Sequence, residues 1–317
     1  MNQLHIIDAH SHLWLKQDTS WDGKVIRSLK NGRSIFLGEE VQMIPPFIID
    51  GQNSAEVFLS NMDYAQVAAA VVVQEFIDGL QNDYLADVSR HYPDRFFCFG
   101  MADYLNDGFL AQAQALLDSG FKGLAIPGHR LLGRPLNSGE MLQMFRLMEE
   151  RGAMLSITLA DGDRQVEEME EVISACPQLK IAIGHLCMAN PPQTPCWENE
   201  SWRRQILLAR HENVMIETGG ITWLYNAEFY PFPSAVRAIR EAANLVGMDR
   251  LMWGSDYPRT ITAITYRMSY DFLLKTPELT DEEKRLLLGE NAIRFYGFKQ
   301  LIDLPYIKTC RNESNTY

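Results

Sequence analysis

The sequence has few cysteines and no long apolar run. Its five cysteines are scattered and form no Cys-x-x-Cys pair, which argues against a disulfide framework and indicates a reducing compartment. No apolar segment reaches the roughly 18–20 residues that a membrane helix needs. The residues before Leu4 do not have the pattern of a signal peptide. We therefore expect a cytoplasmic protein that does not contact a membrane.

Positive charge is also in short supply. The chain has 29 Lys and Arg against 41 Asp and Glu, so the formal net charge is −12. Because nucleic acids and anionic lipids attract basic surfaces, this balance argues against both as the main partner. A small-molecule substrate can still be anionic, since one local group of arginines is enough to bind it.

Short apolar segments alternate with longer segments of helical character. They lack the polar–apolar alternation of half-exposed strands, which favours parallel strands covered on both faces. The candidate strands are Leu4–Asp8, Ala68–Gln74, Arg95–Met101, Gly123–Ile126, Ala153–Thr158, Leu179–Ile183, Asn213–Glu217 and Arg250–Gly254. This alternation predicts an α/β fold of the (β/α)8 TIM-barrel type. An open doubly wound sheet is the alternative, but no Gly-x-Gly-x-x-Gly loop follows a strand.

Three helix starts carry the sequence pattern of a capping box, in which a small polar residue is followed three positions later by Glu. The pairs are Asn53 with Glu56, Asn137 with Glu140, and Thr280 with Glu283. Each pair predicts that a helix begins at its first residue.

One stretch interrupts the alternation. Residues 14–52 follow the first strand and contain two tryptophans, Pro45, Pro46 and several glycines. We expect a long irregular loop there, and its apolar content favours a packed cap over a disordered segment. The whole chain, 1–317, is predicted to be a single domain with this cap and a flexible tail at 308–317.

Titratable side chains stand at the carboxyl ends of several predicted strands. His10 and His12 follow the first strand on the same side of it, where two imidazoles can bind one divalent metal ion. His185, Glu217 and Asp256 end strands six, seven and eight. Because buried charges are costly unless they are paired or bound to metal, their collection at one end of a barrel predicts an active site. A hydrogen-bonded polar core is the alternative.

Three motifs resemble the amidohydrolase superfamily, specifically its amidohydrolase-related branch (amidohydrolase 2). The motifs are Asp8-x-His10-x-His12, Ile183-Gly184-His185 and Leu251-Met252-Trp253-Gly254-Ser255-Asp256-Tyr257-Pro258. The similarity extends from residue 4 to about residue 298. The branch includes sugar and dicarboxylate lactonases and the aminocarboxymuconate-semialdehyde and resorcylate decarboxylases.

The resemblance implies roles for four of these residues. His10 and His12 match metal ligands. His185 matches the histidine of strand six, which helps to bind metal or polarises the substrate. Asp256 matches the carboxylate that touches the metal and accepts a proton from the attacking water. The implied cofactor is one divalent metal ion, with zinc as the first choice.

Strand five departs from the family pattern. Where the family has a metal-binding histidine, this sequence has Thr158. The site can therefore also work without a metal, with Asp256 as the direct base and the histidines as hydrogen-bond donors to the developing oxyanion. His129, after strand four, is a candidate replacement for the missing ligand.

The remaining candidates for substrate binding lie near the strand ends. Arg130 can hold a substrate carboxylate as a bidentate pair. The sequence His12-Leu13-Trp14 resembles the His-x-His-x-Trp of the sugar lactonases. The set of predicted substrate-binding residues is Arg130, His129, Trp14, Glu217, Trp223 and Tyr257.

These observations favour a hydrolase that acts on a small lactone or a related ester or amide. A metal-dependent decarboxylase, which is a lyase, is the second interpretation, but it needs the complete metal set that strand five does not supply. A ligand-binding protein without catalysis is the third, and the presence of Asp256 together with both histidines of strand one argues against it. A homodimer is the expected assembly.

Overall fold

The strands form a parallel group and an antiparallel group. The computed structural model describes residues 4–160, 162–188 and 195–304, so the predicted tail at 308–317 lies outside the described residues. The strands are β1 (Ile6–Ser11), β2 (Asp18–Trp21), β3 (Lys24–Ser28), β4 (Arg33–Phe36), β5 (Glu39–Gln42), β6 (Val67–Val72), β7 (Phe96–Cys98), β8 (Gly123–Ile126), β9 (Met154–Ile157), β10 (Lys180–Ile183), β11 (Val214–Glu217) and β12 (Leu251–Met252).

The parallel group contains every strand predicted from the apolar segments, with bounds that differ by a few residues. Its two sheets have the order β1-β6-β7 and β8-β9-β10-β11-β12. Isolated parallel bridges join the sheets at both edges, Gly100 with Leu124 and Ser11 with Tyr257. The strands thus follow one another in the order of a (β/α)8 fold. Between the two sheets, each of the two junctions consists of a single bridge in place of a continuous ladder.

Helices connect the parallel strands. The helices are α1 (Ala55–Ala65), α2 (Asn82–His91), α3 (Phe109–Asp118), α4 (Gly139–Glu150), α5 (Arg164–Ala175), α6 (His185–Met188), α7 (Glu200–Leu207), α8 (Ile221–Leu224), α9 (Pro233–Val246), α10 (Met268–Lys275), α11 (Asp281–Arg285) and α12 (Asn291–Tyr296). Within the described part of the chain, none of them combines the length and the apolar character required to cross a bilayer.

Two of the three predicted helix starts are displaced by one residue. The N-caps of α1 and α4 are Ser54 and Ser138, not Asn53 and Asn137. Asn53 has another function, because its side-chain amide donates to the carbonyl of His12 and so fixes the chain beyond β1. The third capping box is confirmed at the start of α11.

Apolar side chains fill the space inside the parallel strands. These side chains are Ile7, Ala9, Ala69, Val71, Phe97, Phe99, Ala125, Ala182, Met215 and Met252. Phe295 and Tyr296 of α12 pack against the same cluster, and Tyr296 lies 5.2 Å from the ring of Phe97 near the start of β7. The end where the strands begin is therefore filled, which leaves the carboxyl ends of the strands as the open face.

The sequence pattern predicted a long irregular loop at residues 14–52. The structure contradicts this prediction, because much of the segment is regular. Strands β2 to β5 form a four-stranded antiparallel sheet within it, which we call the roof sheet (residues 18–42). Two-residue turns with positive φ, Asp22-Gly23 and Leu37-Gly38, join β2 to β3 and β4 to β5. Such turns match the twist of a hairpin. The Asp-Gly pair was the available signal for the first hairpin.

Loss of the capping box of α11 is expected to destabilise the protein modestly. The Thr280 hydroxyl accepts from the backbone N–H of Glu283, whose carboxylate accepts in return from the backbone of Thr280. Thr280→Ala should lower the free energy of unfolding by about 1 kcal/mol, measured by urea denaturation. Ser60→Ala, on the exposed face of α1, is the control and should change it by less than about 0.5 kcal/mol. Equal effects of the two changes would contradict the assignment.

Candidate active site

A change of register in β1 aims its histidines at the open end of the barrel. Ile7 and Ala9 face the interior cluster, so uninterrupted alternation would turn His10 away from it. The pairing of β1 with β6 shifts between Asp8 and Ser11. His10 consequently faces inward, with its Nδ1 atom 2.7 Å from Oε1 of Glu217. The placement was predicted correctly, but it depends on this irregularity and not on simple alternation.

Glu217 holds His10 from behind and does not line the cavity. One oxygen lies on His10 Nδ1, and the carboxylate also accepts from the backbone N–H groups of His185 and Gly219. Burial raises the pKa of Glu217, but the neighbouring charge of His10 more than offsets it, so the pKa is lowered overall. Burial likewise works against the charged form of His10, and Glu217 nonetheless raises the pKa of that imidazole. The structure therefore gives no support to the prediction that Glu217 binds substrate, because its hydrogen bonds are to His10, His185 and Gly219 and it does not line the cavity.

His12 and Asp256 meet at the centre of the site. The Nε2 atom of His12 lies 3.1 Å from Oδ1 of Asp256 and 3.1 Å from Nε2 of His10. On the other side of the ring, Nδ1 of His12 lies 3.0 Å from Oδ2 of Asp78. The indole N–H of Trp223 donates to the second oxygen of Asp256 at 2.5 Å. Each oxygen of Asp256 thus has a fixed neighbour.

Histidine charges set the protonation of Asp256. Burial alone would raise its pKa, but the hydrogen bond from His12 and the charges of His185 and His10 hold the pKa of Asp256 well below its usual range. Burial and the nearby His10 also lower the pKa of His185. For a histidine a lower pKa favours the neutral form, whereas for Asp256 it favours the charged form. The site therefore combines an ionised carboxylate with an imidazole that favours its neutral form.

The backbone is strained where His185 and Asp256 leave their strands. His185, Leu186 and Cys187 have φ angles of 57°, 46° and 56°, and Asp256 has a φ of 60°. Positive φ is uncommon for residues other than glycine and clusters at functional sites. The carbonyl of Gly219 accepts a hydrogen bond from the Nδ1–H group of His185 at 2.8 Å, which fixes the ring. Local strain thus accompanies the aiming of both side chains into the site.

The side chains present fit a divalent metal ion. One donor atom each of His10, His185 and Asp256 lie within 4.8 Å of one another. The Nε2 atom of His12 lies 3.1 Å from two of these residues, close to the spacing of about 3.4 Å between two ligands of one tetrahedral zinc ion. The structure thus brings three of the four predicted ligands into one cluster and places His12 beside two of them.

The second nitrogen of each histidine supports the same interpretation. Nδ1 of His10, His12 and His185 faces Glu217, Asp78 and the Gly219 carbonyl, respectively. Metal-binding histidines characteristically donate their other ring N–H to a carboxylate or a backbone carbonyl, which fixes the tautomer. This pattern leaves Nε2 of each ring free to act as a ligand.

Strand five contributes a hydroxyl in place of an imidazole. Thr158, directly after β9, is buried and lines the cavity. His129 also lines the cavity, but its Nε2 atom lies 3.7 Å from Oε1 of Glu75. Among the described residues, the one cluster of possible metal ligands does not include His129. The structure therefore places His129 beside a carboxylate and does not support it as the replacement ligand.

A narrow cavity of about 100 Å³ opens above these residues. Four of the residues predicted to bind substrate line it: Trp14, His129, Arg130 and Trp223. Tyr257 does not: it is fully buried, its ring stacks on Phe58 at 4.0 Å, and its hydroxyl accepts from the Asn61 amide. The structure therefore places the Tyr257 ring against Phe58 and outside the cavity, and gives no support to the prediction that it binds substrate.

The roof sheet is attached to the cavity wall through Arg130. The indole N–H of Trp21, at the end of β2, donates to the carbonyl of Arg130 at 2.9 Å. The guanidinium of Arg130 lies 5.3 Å from the centre of the same ring and donates to Glu75 at 3.1 Å. Met43 and Ile44, which follow β5, line the cavity from above. The segment after β1 thus contributes Trp14, Gln17, Met43 and Ile44 to the cavity wall.

Three charged residues of the site were missed in the sequence. Glu75 and Asp78 follow β6, and Arg259 follows Asp256 by three positions. The carboxylates directly after a predicted strand were a usable signal, since carboxyl ends of barrel strands converge. Arg259 had no signal, because its approach to Trp223 depends on two separate loops.

Larger hollows occur elsewhere but lack this chemistry. One of about 570 Å³ lies near Phe97 and Tyr296, at the closed end of the barrel. Another of about 730 Å³ lies between Tyr230 and Phe272. Neither contains the described cluster of possible metal ligands. Convergent titratable groups, and not volume, therefore identify the candidate site.

Comparison with known proteins agrees with the motifs. The family model described as amidohydrolase matches residues 7–298. No curated protein gives a match to the sequence. A probable 2-pyrone-4,6-dicarboxylic acid hydrolase of Acinetobacter baumannii, crystallised with citric acid, is 18% identical with a TM-score of 0.69, covering 93% of this chain and 100% of its own.

Two further structures show the same fold. An amidohydrolase of Burkholderia multivorans with bound zinc is 17% identical with a TM-score of 0.67, covering 92% of this chain and 99% of its own. A 5-carboxyvanillate decarboxylase of Novosphingobium aromaticivorans with bound manganese is 18% identical with a TM-score of 0.56, covering 77% and 81%. At these identities the likeness concerns the fold.

Proposed function

Because the chain belongs to the amidohydrolase family, which matches residues 7–298, we propose that it hydrolyses a small lactone or a related ester or amide. The observation that carries this proposal is the meeting of Asp256 with His10, His12 and His185 at one point at the carboxyl end of the barrel. An ionised carboxylate beside fixed imidazoles is suited to activate water and to stabilise the oxygen of a carbonyl under attack.

Asp256 is the proposed general base. Its Oδ2 atom is held by Trp223, while Oδ1 faces the histidines. The low pKa of Asp256 keeps it in the ionised form that a proton acceptor needs, although it makes the carboxylate a weaker base than an ordinary aspartate. His185 is proposed to present the lone pair of Nε2 to a metal ion, because its Nδ1–H donates to the carbonyl of Gly219 and so fixes the ring and its tautomer.

His10, His12, His185 and Asp256 would hold a divalent metal ion, with zinc as the first choice. Such an ion supplies a lowered pKa to bound water and polarises a carbonyl oxygen. Glu217 and Asp78 would then keep the rings of His10 and His12 in the tautomer that presents Nε2. Dialysis against a chelator is expected to lower activity at least about tenfold, with recovery on addition of zinc or manganese.

A decarboxylase is the second candidate. The observation that favours it is the likeness to a manganese-containing decarboxylase fold over 77% of this chain. The same four ligands would serve it, so the geometry of the site does not separate the two reactions. The reaction products do, because hydrolysis of a lactone releases acid without carbon dioxide.

A hydrolysis screen tests the proposal. Aldonolactones and dicarboxylate lactones are offered with a pH indicator, with and without chelator, and carbon dioxide is measured in parallel. Acid release without carbon dioxide from any lactone supports the proposal. Carbon dioxide from a hydroxylated aromatic acid, with no lactone turned over, would assign the protein to the decarboxylases. If the zinc-loaded protein turns over neither lactones nor aromatic acids, the result would favour a ligand-binding protein without catalysis.

Glu217→Gln is expected to reduce kcat by about 10- to 100-fold with little change in KM, because it removes the negative charge beside His10 and one of the two oxygens that accept from the wall, without touching the cavity. Metal content after gel filtration should fall in parallel. Glu212→Gln, on the exposed loop before β11, is the matched control. Wild-type kcat and metal content in Glu217→Gln would show that Glu217 does not position His10.

A further inference from the structure

Arg259 stands at the mouth of the cavity, close to the proposed base. It begins a short 3-10 turn, Arg259–Thr262, three residues after Asp256. Its side chain is exposed and lines the cavity. The guanidinium carbon lies 4.2 Å from the centre of the Trp223 ring, within the range of a cation–π contact. The same indole donates its N–H to Asp256.

The two arginines of the cavity differ in what neutralises them. Arg130 donates to Glu75 at 3.1 Å, so its charge is already balanced inside the protein. Arg259 forms no ion pair with any residue in the ranges 4–160, 162–188 and 195–304. A guanidinium that faces a cavity without a carboxylate partner is available to one from a ligand.

The position of Arg259 is built into the fold. The hydroxyls of Thr222 and Thr260 are 3.1 Å apart, and both side chains are buried. This contact ties α8, which carries Trp223, to the turn that carries Arg259. The backbone N–H of Thr260 also donates to the carbonyl of Asp256 at 3.3 Å. The guanidinium, the indole ring and the proposed base are therefore held in one arrangement.

We propose that Arg259 is a specificity-determining residue that binds a carboxylate of the substrate. This inference rests on the proposed hydrolase function. It gives the substrate class of that function as carboxylated, ring-containing anions. The ring of such a substrate would lie beside Trp223. Glu75, Asp78 and Asp256 around the same cavity repel an anion, so a substrate carboxylate held apart from the metal cluster needs a cationic side chain beside it. Arg259 supplies that cation, and its planar fork suits a carboxylate in bidentate geometry.

Equilibrium binding tests this inference separately from catalysis. Furan-2-carboxylate is the probe, and the neutral furan-2-carboxamide is its partner of the same shape. Dissociation constants are measured by titration NMR for the metal-loaded wild type and for Arg259→Met, Arg259→Lys and Arg237→Met. Arg237, on α9, is the matched control. Its guanidinium carbon lies 4.8 Å from the centre of the Trp197 ring, outside the cavity.

The wild type is expected to prefer the carboxylate, and Arg259→Met should weaken carboxylate binding at least about tenfold, or about 1.4 kcal/mol. Arg259→Lys should lie between them, and Arg237→Met should match the wild type. Equal affinity of the wild type for both probes, or unchanged carboxylate binding in a folded Arg259→Met protein, would overturn the inference. Failure of the lactone screen, with the carboxylate preference intact, would overturn only the hydrolase proposal.

Discussion

Asp256→Asn should lower kcat by about 10³-fold while substrate binding stays within about threefold of the wild type. The change removes the carboxylate that accepts the proton, yet the amide keeps the size of the side chain and can still accept from Trp223. With the carbonyl oxygen of the amide in that position, its NH2 group faces Nε2 of His12. The measurement is kcat and KM on the best lactone of the screen, together with the metal content of each protein.

The metal content distinguishes two causes of lost activity. A metal-replete but inactive Asp256→Asn protein would assign the loss to the missing base. Asp249→Asn, an exposed carboxylate remote from the cavity, controls for the change of charge and should match the wild type. Turnover by Asp256→Asn at the wild-type rate would refute the proposed mechanism.

Removal of the His10 imidazole is expected to lower activity by more than about 100-fold and to release most of the bound metal. Mutation of a residue that merely hydrogen-bonds to a metal ligand already lowers metal affinity or activity by about 10- to 100-fold. His10→Ala also leaves the Glu217 carboxylate buried without its partner, which destabilises the protein. His10→Asn avoids this complication, because its amide can take the place of Nδ1 opposite Glu217 while Nε2 is lost.

Both variants of His10 should therefore be inactive, but His10→Asn should melt closer to the wild type. His5→Ala is the control, because this histidine lies before β1 and contacts Asp303 at the other end of the barrel. Activity of His10→Asn within threefold of the wild type would show that the end of β1 is not part of the site.

Buried parallel strands could be predicted from the sequence because both of their faces are covered. The segment Val67–Val72 consists of Val and Ala alone and is buried throughout, and such a run has few other interpretations. The roof sheet was missed for the opposite reason. Strands β2 and β5 are largely exposed and polar, so their residues carry no strong apolar pattern, and only the turn at Asp22-Gly23 indicated a hairpin.

The candidate site was predictable where a residue's role follows from its position on a strand. His10, His12, His185 and Asp256 all directly follow or end a barrel strand. The role of Glu217 could not be predicted from the sequence, because a buried carboxylate can face either the cavity or a neighbouring ring. That choice depends on the register shift in β1, which places His10 on Glu217, and no local sequence signal encodes it.

The cavity has a floor and a roof that come from separate stretches of the chain. The floor residues sit on strands tied to their neighbours by parallel ladders, so a changed length there would disturb the whole ring. Among the described residues, the roof sheet pairs with itself alone and reaches the wall through side chains such as Trp21. Its hairpin turns can lengthen or shorten without breaking a ladder of the floor. Insertions and deletions in these turns are therefore expected to leave the cluster of His10, His185 and Asp256 in place.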